Sequence, residues 1–439
     1  MKKKGLTKEV FRIALPIIIS ELGDSLYSIT DTYFVSKIGE TALAAVSVGS
    51  YLSWLFFVVI VLFSIGVLVY TAQCYGAKAV DDARKALGES IVFSSIVAFI
   101  VALVVYHISH IIVWIITGPN WVLVDIASRY LSVRILGLPF LATAVVMDSV
   151  IRGIGATKYS MIVVLSSAFL NIVLDPLFIF GLYGFPRMGV VGAALATVIS
   201  IIYMIPLELL FLKKLSLLPV FSVKAGYIGR VVRIGLPAAF ERLIFSLGSN
   251  AYLAFIARCG DTALAAHQVG VRIESFIYMP GFAFSVAASA LVGQRIGAGD
   301  IEGGKSIGFE AAKLAVVFMG VLGVIVALTS SYLVSPFSPS SQVALLASIY
   351  LVLAGLSEPG LALAMALSGA IRGAGNTLVP MAINASCLYM FRVIPSAILT
   401  RMIGVIGAWI AMFVDVYLRG LIFLIVYKSR FTKLAKKVV

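Results

Sequence analysis

The chain has 439 residues, of which 61% are hydrophobic and only 12% charged, with a mean hydropathy of +1.08. Such a composition cannot clothe a water-soluble globule of this size, so the solvent for most of the chain is lipid. The formal charge of +14 is dispersed in short stretches between apolar runs, which excludes the single basic face of a nucleic-acid binder.

Apolar runs long enough to cross about 30 Å of hydrocarbon recur along the chain. Backbone groups in lipid must be satisfied within each segment, so each run is expected to be a helix. In chain order they are 11–35, 43–73, 88–117, 122–151, 159–182 and 188–212, then 230–257, 264–294, 306–333, 342–371, 379–402 and 404–427. The first and seventh are the weakest on hydropathy. Lys2 to Lys4 followed by an apolar stretch imitates a secretory leader. That stretch carries Glu21, Asp24 and Asp31 and lacks a small-residue cleavage pattern, so it reads as a retained helix. The three cysteines, Cys74, Cys259 and Cys387, show no metal spacing and no disulfide framework.

Three segments are rich in bases: the N-terminus (Lys2, Lys3, Lys4, Lys8), the connector (Lys213, Lys214, Lys224, Arg230, Arg233) and the C-terminus (Lys428, Arg430, Lys433, Lys436, Lys437). The positive-inside rule puts all three in the cytoplasm, which requires an even number of crossings in each half. The expected fold is an all-α integral membrane protein with twelve helices in two parallel six-helix lobes, 1–220 and 221–439, flanking a central cleft.

The halves are copies. Leu15-Pro16 recurs as Leu236-Pro237, Gly39-Glu-Thr-Ala-Leu-Ala-Ala45 as Gly260-Asp-Thr-Ala-Leu-Ala-Ala266, and Gln73-x-x-Gly-Ala77 as Gln294-x-x-Gly-Ala298, all 221 positions apart. Ile151-Arg-Gly-x-Gly155 recurs as Ile371-Arg-Gly-x-Gly375 and Gly189-Val-x-Gly-Ala193 as Gly404-Val-x-Gly-Ala408, at displacements of 220 and 215. Two parallel repeats related by an axis along the membrane normal are a recurring plan of alternating-access transporters. The bland alternative is a duplicated bundle that moves nothing.

Ionisable residues within membrane helices are costly and mark functional candidates. Glu21, Asp24, Ser28 and Asp31 are spaced three, four and three apart, which puts them on one face of the first helix. Asn171 and Asp175, at i and i+4, share a face of the fifth, and Thr197 in the sixth adds a hydroxyl. Carboxylates gathered in a low-dielectric pocket either retain a proton or take up a cation, and these hard oxygen donors suit H+ or Na+. A local alternative for Asp175 is capping next to Pro176. In the second half, Glu241 beside Arg242, Arg272 with Glu274, Glu358 before Pro359, and Arg392 mix both signs, so structural pairing competes with ligand contact. Asp31 and Asp175 have no acidic counterparts there, since the equivalent positions are Tyr252 and Pro395.

The chain resembles the multidrug and toxic compound extrusion (MATE) family, and is most similar to its prokaryotic DinF-like branch. The resemblance rests on Ile29-Thr-Asp-Thr-Tyr-Phe-Val-Ser-Lys-Ile-Gly39, Arg152-Gly-Ile-Gly-Ala-Thr157, Leu170-Asn-Ile-Val-Leu-Asp-Pro-Leu-Phe178, Ala265-Ala-His-Gln268, Arg272-Ile-Glu-Ser-Phe-Ile-Tyr-Met-Pro-Gly281, Leu291-Val-Gly-Gln294 and Arg372-Gly-Ala-Gly-Asn-Thr377. It implies a multi-pass antiporter of the cell membrane that exports amphipathic or cationic compounds against H+ or Na+. It further implies no cofactor and no nucleic-acid partner, with the lipid bilayer as surroundings and a monomer as the working unit. Asp31, Asn171, Asp175 and Thr197 match the family's cation-coupling positions, and Glu21, Asp24, Glu241, Glu274 and Glu358 are additional candidates.

The competing reading within transporters is a lipid-linked oligosaccharide flippase of the same lobe plan, which would offer a basic cleft to a pyrophosphate. A membrane enzyme would show a nucleophile or metal constellation. His107, His110 and His267 do not supply one, and the Arg-Gly-x-Gly segments lack the Gly-Lys-Ser/Thr of a phosphate loop. The chain is therefore expected not to be an enzyme.

Overall fold

A computed structural model describes residues 3–221 and 226–439, with side chains from Gly5 onward. Lys2 and Lys224, two of the bases counted toward topology, lie outside the described residues, as do the side chains of Lys3 and Lys4. Among the described residues the chain is helical throughout, without a strand. The helices are α1 (Lys3–Ser36), α2 (Glu40–Phe56), α3 (Val58–Gly76), α4 (Val80–Thr117), α5 (Trp121–Leu136), α6 (Leu138–Gly153), α7 (Thr157–Phe180) and α8 (Val190–Lys214). They continue as α9 (Ile228–Ala257), α10 (Asp261–Gly297), α11 (Ile301–Val334), α12 (Ser341–Gly373), α13 (Leu378–Cys387), α14 (Ile394–Ile403) and α15 (Val405–Leu434).

Every segment expected from hydropathy is found, but three are interrupted. The second is α2 and α3, meeting at Phe57. The fourth is α5 and α6, bent by 46° at Gly137. Pro139 lies in the first turn of α6, where its missing N–H removes the hydrogen bond that would reach back into α5. The eleventh is α13 and α14 joined by a π-helical turn, Leu388–Val393, ahead of Pro395, where a missing N–H loosens the ladder. Ten helices among the described residues are long and apolar enough to cross a membrane, and the bent α5 and α6 pair makes an eleventh. The remaining predicted span, α9, has the length of a crossing but carries Arg230, Arg233, Glu241 and Arg242, which lower its hydropathy.

The described chain forms two compact units that interleave in sequence. One comprises Met1–Ile18, Ala72–Lys78 and Leu236–Val439; the other comprises Ile19–Thr71 and Ala79–Gly235. Helices α1 and α9 pass from one unit to the other beside Pro16 and Pro237, the repeated Leu-Pro positions. The larger unit packs α10, α11, α12 and α15 around Phe284, Leu291, Met319, Leu367 and Phe423, with alanine filling most of the remaining core. Lipid tails are as apolar as leucine, so helices in lipid gain little from burying bulk and more from close backbone approach. The second unit centres on Leu52, Ile60, Val105, Leu131 and Ile135. Outward faces such as Phe99, Ile100, Leu103 and Val104 of α4, and Val321, Ile325 and Leu328 of α11, remain exposed and apolar, as lipid contact requires.

The repeat seen in sequence is a repeat of packing. A Cβ on Gly76 would fall 1.8 Å from the Gln294 carbonyl oxygen, and one on Gly297 would fall 1.9 Å from that of Gln73. The two Gln-x-x-Gly segments thus cross backbone against backbone, and only glycine admits this. Gln73 also ties down the C-terminal segment, donating to Lys436 O and accepting from Val438 N. The paired Arg-Gly-x-Gly segments are helix stops. Gly155 and Gly375 take φ of +80° and +84°, and the amides of Ala156 and Asn376 donate back to Ile151 and Ile371.

Candidate cation-coupling site

In α7, Asn171 and Asp175 face the interior of their unit and are 1% and 0% exposed; Thr197 of α8, at 6%, joins them. The Thr197 hydroxyl donates to Ala193 O at 3.0 Å, so at 3.1 Å it accepts from the Tyr27 hydroxyl of α1. With its amide nitrogen turned toward Asp175, Asn171 donates to Oδ2 at 3.0 Å while its oxygen accepts the Thr197 N–H at 3.2 Å, which satisfies both ends of the amide. The atoms Asp175 Oδ1 and Asp31 Oδ1 are both buried with no hydrogen-bond partner among the described residues. The two carboxyl groups lie within each other's electrostatic reach, and both feel the guanidinium of Arg134 from α5. Asp31, Asn171, Asp175 and Thr197 are thus brought together as one site. One oxygen of Asp175 is engaged locally, by Asn171 one turn earlier on α7, as the local alternative expected; the other, Oδ1, has no partner among the described residues.

Sequence reasoning missed three members of this site. Arg134 is a lone base at the last turn of α5, and its surroundings include Tyr27, Tyr130, Asp31 and Asp175. The same principle that singled out the acids, an ionisable group inside an apolar helix, would have found it. Tyr27 and Tyr130 gave no such signal. Tyr130 bonds Ser50 of α2 at 3.1 Å, and its ring fills the space that Gly49 leaves open. The repeat equivalents do likewise, with Tyr350 packed against Gly270.

Glu21 and Asp24 share the α1 stripe with Asp31 but belong to a different cluster. Arg152, expected in a loop, lies in the last turn of α6. It pairs with Asp148 at 2.5 Å and with Glu21 at 3.7 Å, and donates to Ser160 of α7 at 3.1 Å. Asp24 and Glu208 of α8 face the same group of charges.

The second-half candidates are divided among three arrangements. Glu241 pairs with Arg372 at 2.6 Å and accepts from Asn384 at 2.7 Å, so its partner is not the adjacent Arg242. Glu274 accepts from the Tyr350 hydroxyl in an aromatic nest with His267 and Trp409. Glu358 is buried with neither oxygen bonded and senses Glu274. Arg392 has as its partner Asp415 of α15, at 2.8 Å, which Arg419 also contacts.

The MatE family model matches residues 16–177 and 237–398, one copy in each half. The chain belongs to the MatE family. MatE chains are multidrug efflux transporters embedded in the membrane by many helices, and they act on small molecules. Among MatE relatives, the probable multidrug resistance protein NorM of Thermotoga maritima is 30% identical over 433 residues, covering 97% of this chain and 92% of that protein. An FAD transporter of Shewanella oneidensis is 26% identical over 94% of this chain and 92% of its own length. In fold, the chain matches the Vibrio cholerae MATE transporter VcmN in its bent form, with a TM-score of 0.91 at 21% identity and 98% of each chain covered.

Proposed function

We propose that this chain is a secondary antiporter that exports amphipathic, often cationic, organic compounds in exchange for inward H+ or Na+ by alternating access. Its termini face the cytoplasm, its two six-helix repeats (1–220 and 221–439) serve as the lobes, and a monomer suffices. The observation that carries this reading is the carboxyl pair of the buried Asp175 and the half-buried Asp31, each with a buried oxygen left without a partner among the described residues and both feeling one guanidinium. Unpaired carboxylate charge in a low-dielectric interior is unfavourable. The pair therefore gains from taking up a proton or a small cation, and Asn171, Thr197 and Tyr27 provide polar groups that hold it in place. A site of differing affinity in the two access states converts an ion gradient into export.

The test is efflux of a fluorescent lipophilic cation from vesicles containing the purified protein, with Na+ and proton gradients imposed separately. Asp31→Asn and Asp175→Asn should abolish gradient-driven export while leaving folded protein. Undiminished export by both variants would end this reading. Because one MatE relative is described as an FAD transporter, FAD belongs in the panel of cargoes.

A further inference from the structure

Further along α1 and α8, and joined by α6, carboxyl groups form a second constellation. Glu21 and Asp24 come from α1, Asp148 and Arg152 from α6, and Glu208 from α8, with the Ser160 hydroxyl of α7 completing the ring. Four carboxyl groups face one guanidinium. Arg152 is already engaged by Asp148, Glu21 and Ser160, so among the described residues Glu208 and Asp24 have no ion-pair partner of their own. Glu208 is 0% exposed, and among the described residues neither of its oxygens has a hydrogen-bond partner, nor does Asp148 Oδ1 beside it. Asp24, by contrast, is exposed. A buried carboxyl group without a hydrogen-bond partner gains from taking up a proton, and the proton is the small species that suits this group.

We infer that Glu21, Asp24, Asp148 and Glu208 around Arg152 form a proton-holding station in series with the Asp31 and Asp175 site. The inference rests on the coupling role proposed for that site, with H+ as the ion. Seven residues of α1 separate Asp24 from Asp31, about 10 Å of rise, and eleven residues of α8 separate Thr197 from Glu208, about 16 Å. Ser28 of α1 and the buried Ser167 and Ser200 lie along this interval. A proton released from the Asp31 and Asp175 pair passes through intervening hydroxyls and water to a carboxylate of the station, and leaves from the exposed Asp24. Each donor returns to its carboxylate form, and no electrons move.

Two measurements test this on the full-length protein in lipid. The first is infrared titration of the carbonyl-stretch band of protonated carboxyl groups. In an Asp31→Asn/Asp175→Asn background a titrating band should remain, and adding Glu208→Gln should remove part of it. No change on adding Glu208→Gln overturns the inference, whatever the transport data say about the first site. The second measurement compares proton-driven efflux of the fluorescent cation with its gradient-free exchange across the membrane. Glu208→Gln should lose the driven efflux and retain exchange, because glutamine preserves the shape of the protonated acid. Loss of both, or retention of both, overturns the relay. Asp24→Asn, at the exposed end, should lower driven efflux without affecting thermal stability, so the relay can be tested even if Glu208→Gln folds poorly.

Discussion

Replacing Asp415 with asparagine should destabilise the unit built on α10 to α15 by a calculable amount. Asp415 is fully buried and accepts from Arg392 at 2.8 Å and from Arg419, whose side chains are 15% and 7% exposed. Removing one partner of a buried ion pair typically costs about 3–5 kcal/mol, because the remaining charge is left without compensation. Here asparagine retains one neutral acceptor, and Arg392 still has Glu274 in its field and the Tyr252 ring 5.8 Å from its guanidinium carbon. Both effects favour the low end, about 3 kcal/mol. Nearly all of it falls on Arg419, for which Asp415 is the principal counter-charge. Thermal unfolding of the purified protein in detergent, read by tryptophan fluorescence, should show a midpoint lowered by several degrees. The double variant Asp415→Asn/Arg419→Met should recover most of the loss, since it removes the stranded charge. A single variant within about 0.5 kcal/mol of the parent, or a double variant in which the two losses simply add, would refute the argument.

Other outcomes follow from the same kind of geometry. Gly297→Ala puts a methyl group 1.9 Å from the Gln73 carbonyl oxygen, and overpacking of this kind costs about 1–3 kcal/mol; a lowered thermal midpoint checks it, and an unchanged one would mean that the crossing relaxes freely. Glu89 is buried in α4 and its carboxylate accepts from the amides of Gly226, Tyr227 and Ile228 at the start of α9. Glu89→Ala removes the anion from a helix N-terminus, and should cost about 1–3 kcal/mol and speed amide exchange in the first turn of α9. Arg372→Met leaves Glu241 with only Asn384, so Glu241→Gln should rescue it in the same thermal assay. Arg134→Met removes the guanidinium shared by Asp31 and Asp175. It should shift the pH at which driven export is half-maximal without abolishing exchange, and an unshifted profile would remove Arg134 from the site.

The two halves of the candidate site differed in how readable they were. Asp31, Asn171 and Asp175 were legible because an acid inside an apolar helix is anomalous in any context and because spacings of three and four assign residues to a face. Their separation from Glu21 and Asp24 was not. All four α1 polar residues lie on one stripe, and only the lateral neighbours, Arg134 with Tyr27 for one pair and Arg152 with Asp148 for the other, divide it into two sites. The local neighbour was also a poor guide in the second half, where Glu241 pairs with Arg372 instead of Arg242 and Arg392 finds Asp415. Adjacent residues on a helix point about 100° apart, whereas partners on packed helices can meet head-on.

Composition alone put this chain in lipid, and the nearly constant displacement of glycine and proline landmarks established the duplication, because the need for internal hydrogen bonding and close backbone approach acts residue by residue along the sequence. The repeated glycines were visible before any reason for them was: Gly76 and Gly297 are where two backbones touch. Which charges share a pocket was decided by the tertiary structure, since it depends on the rotation of each helix about its own axis. That rotation is set by small residues packing against neighbours on other helices, such as Gly23 against Leu165 and Gly137 against Val198, and no local pattern encodes it.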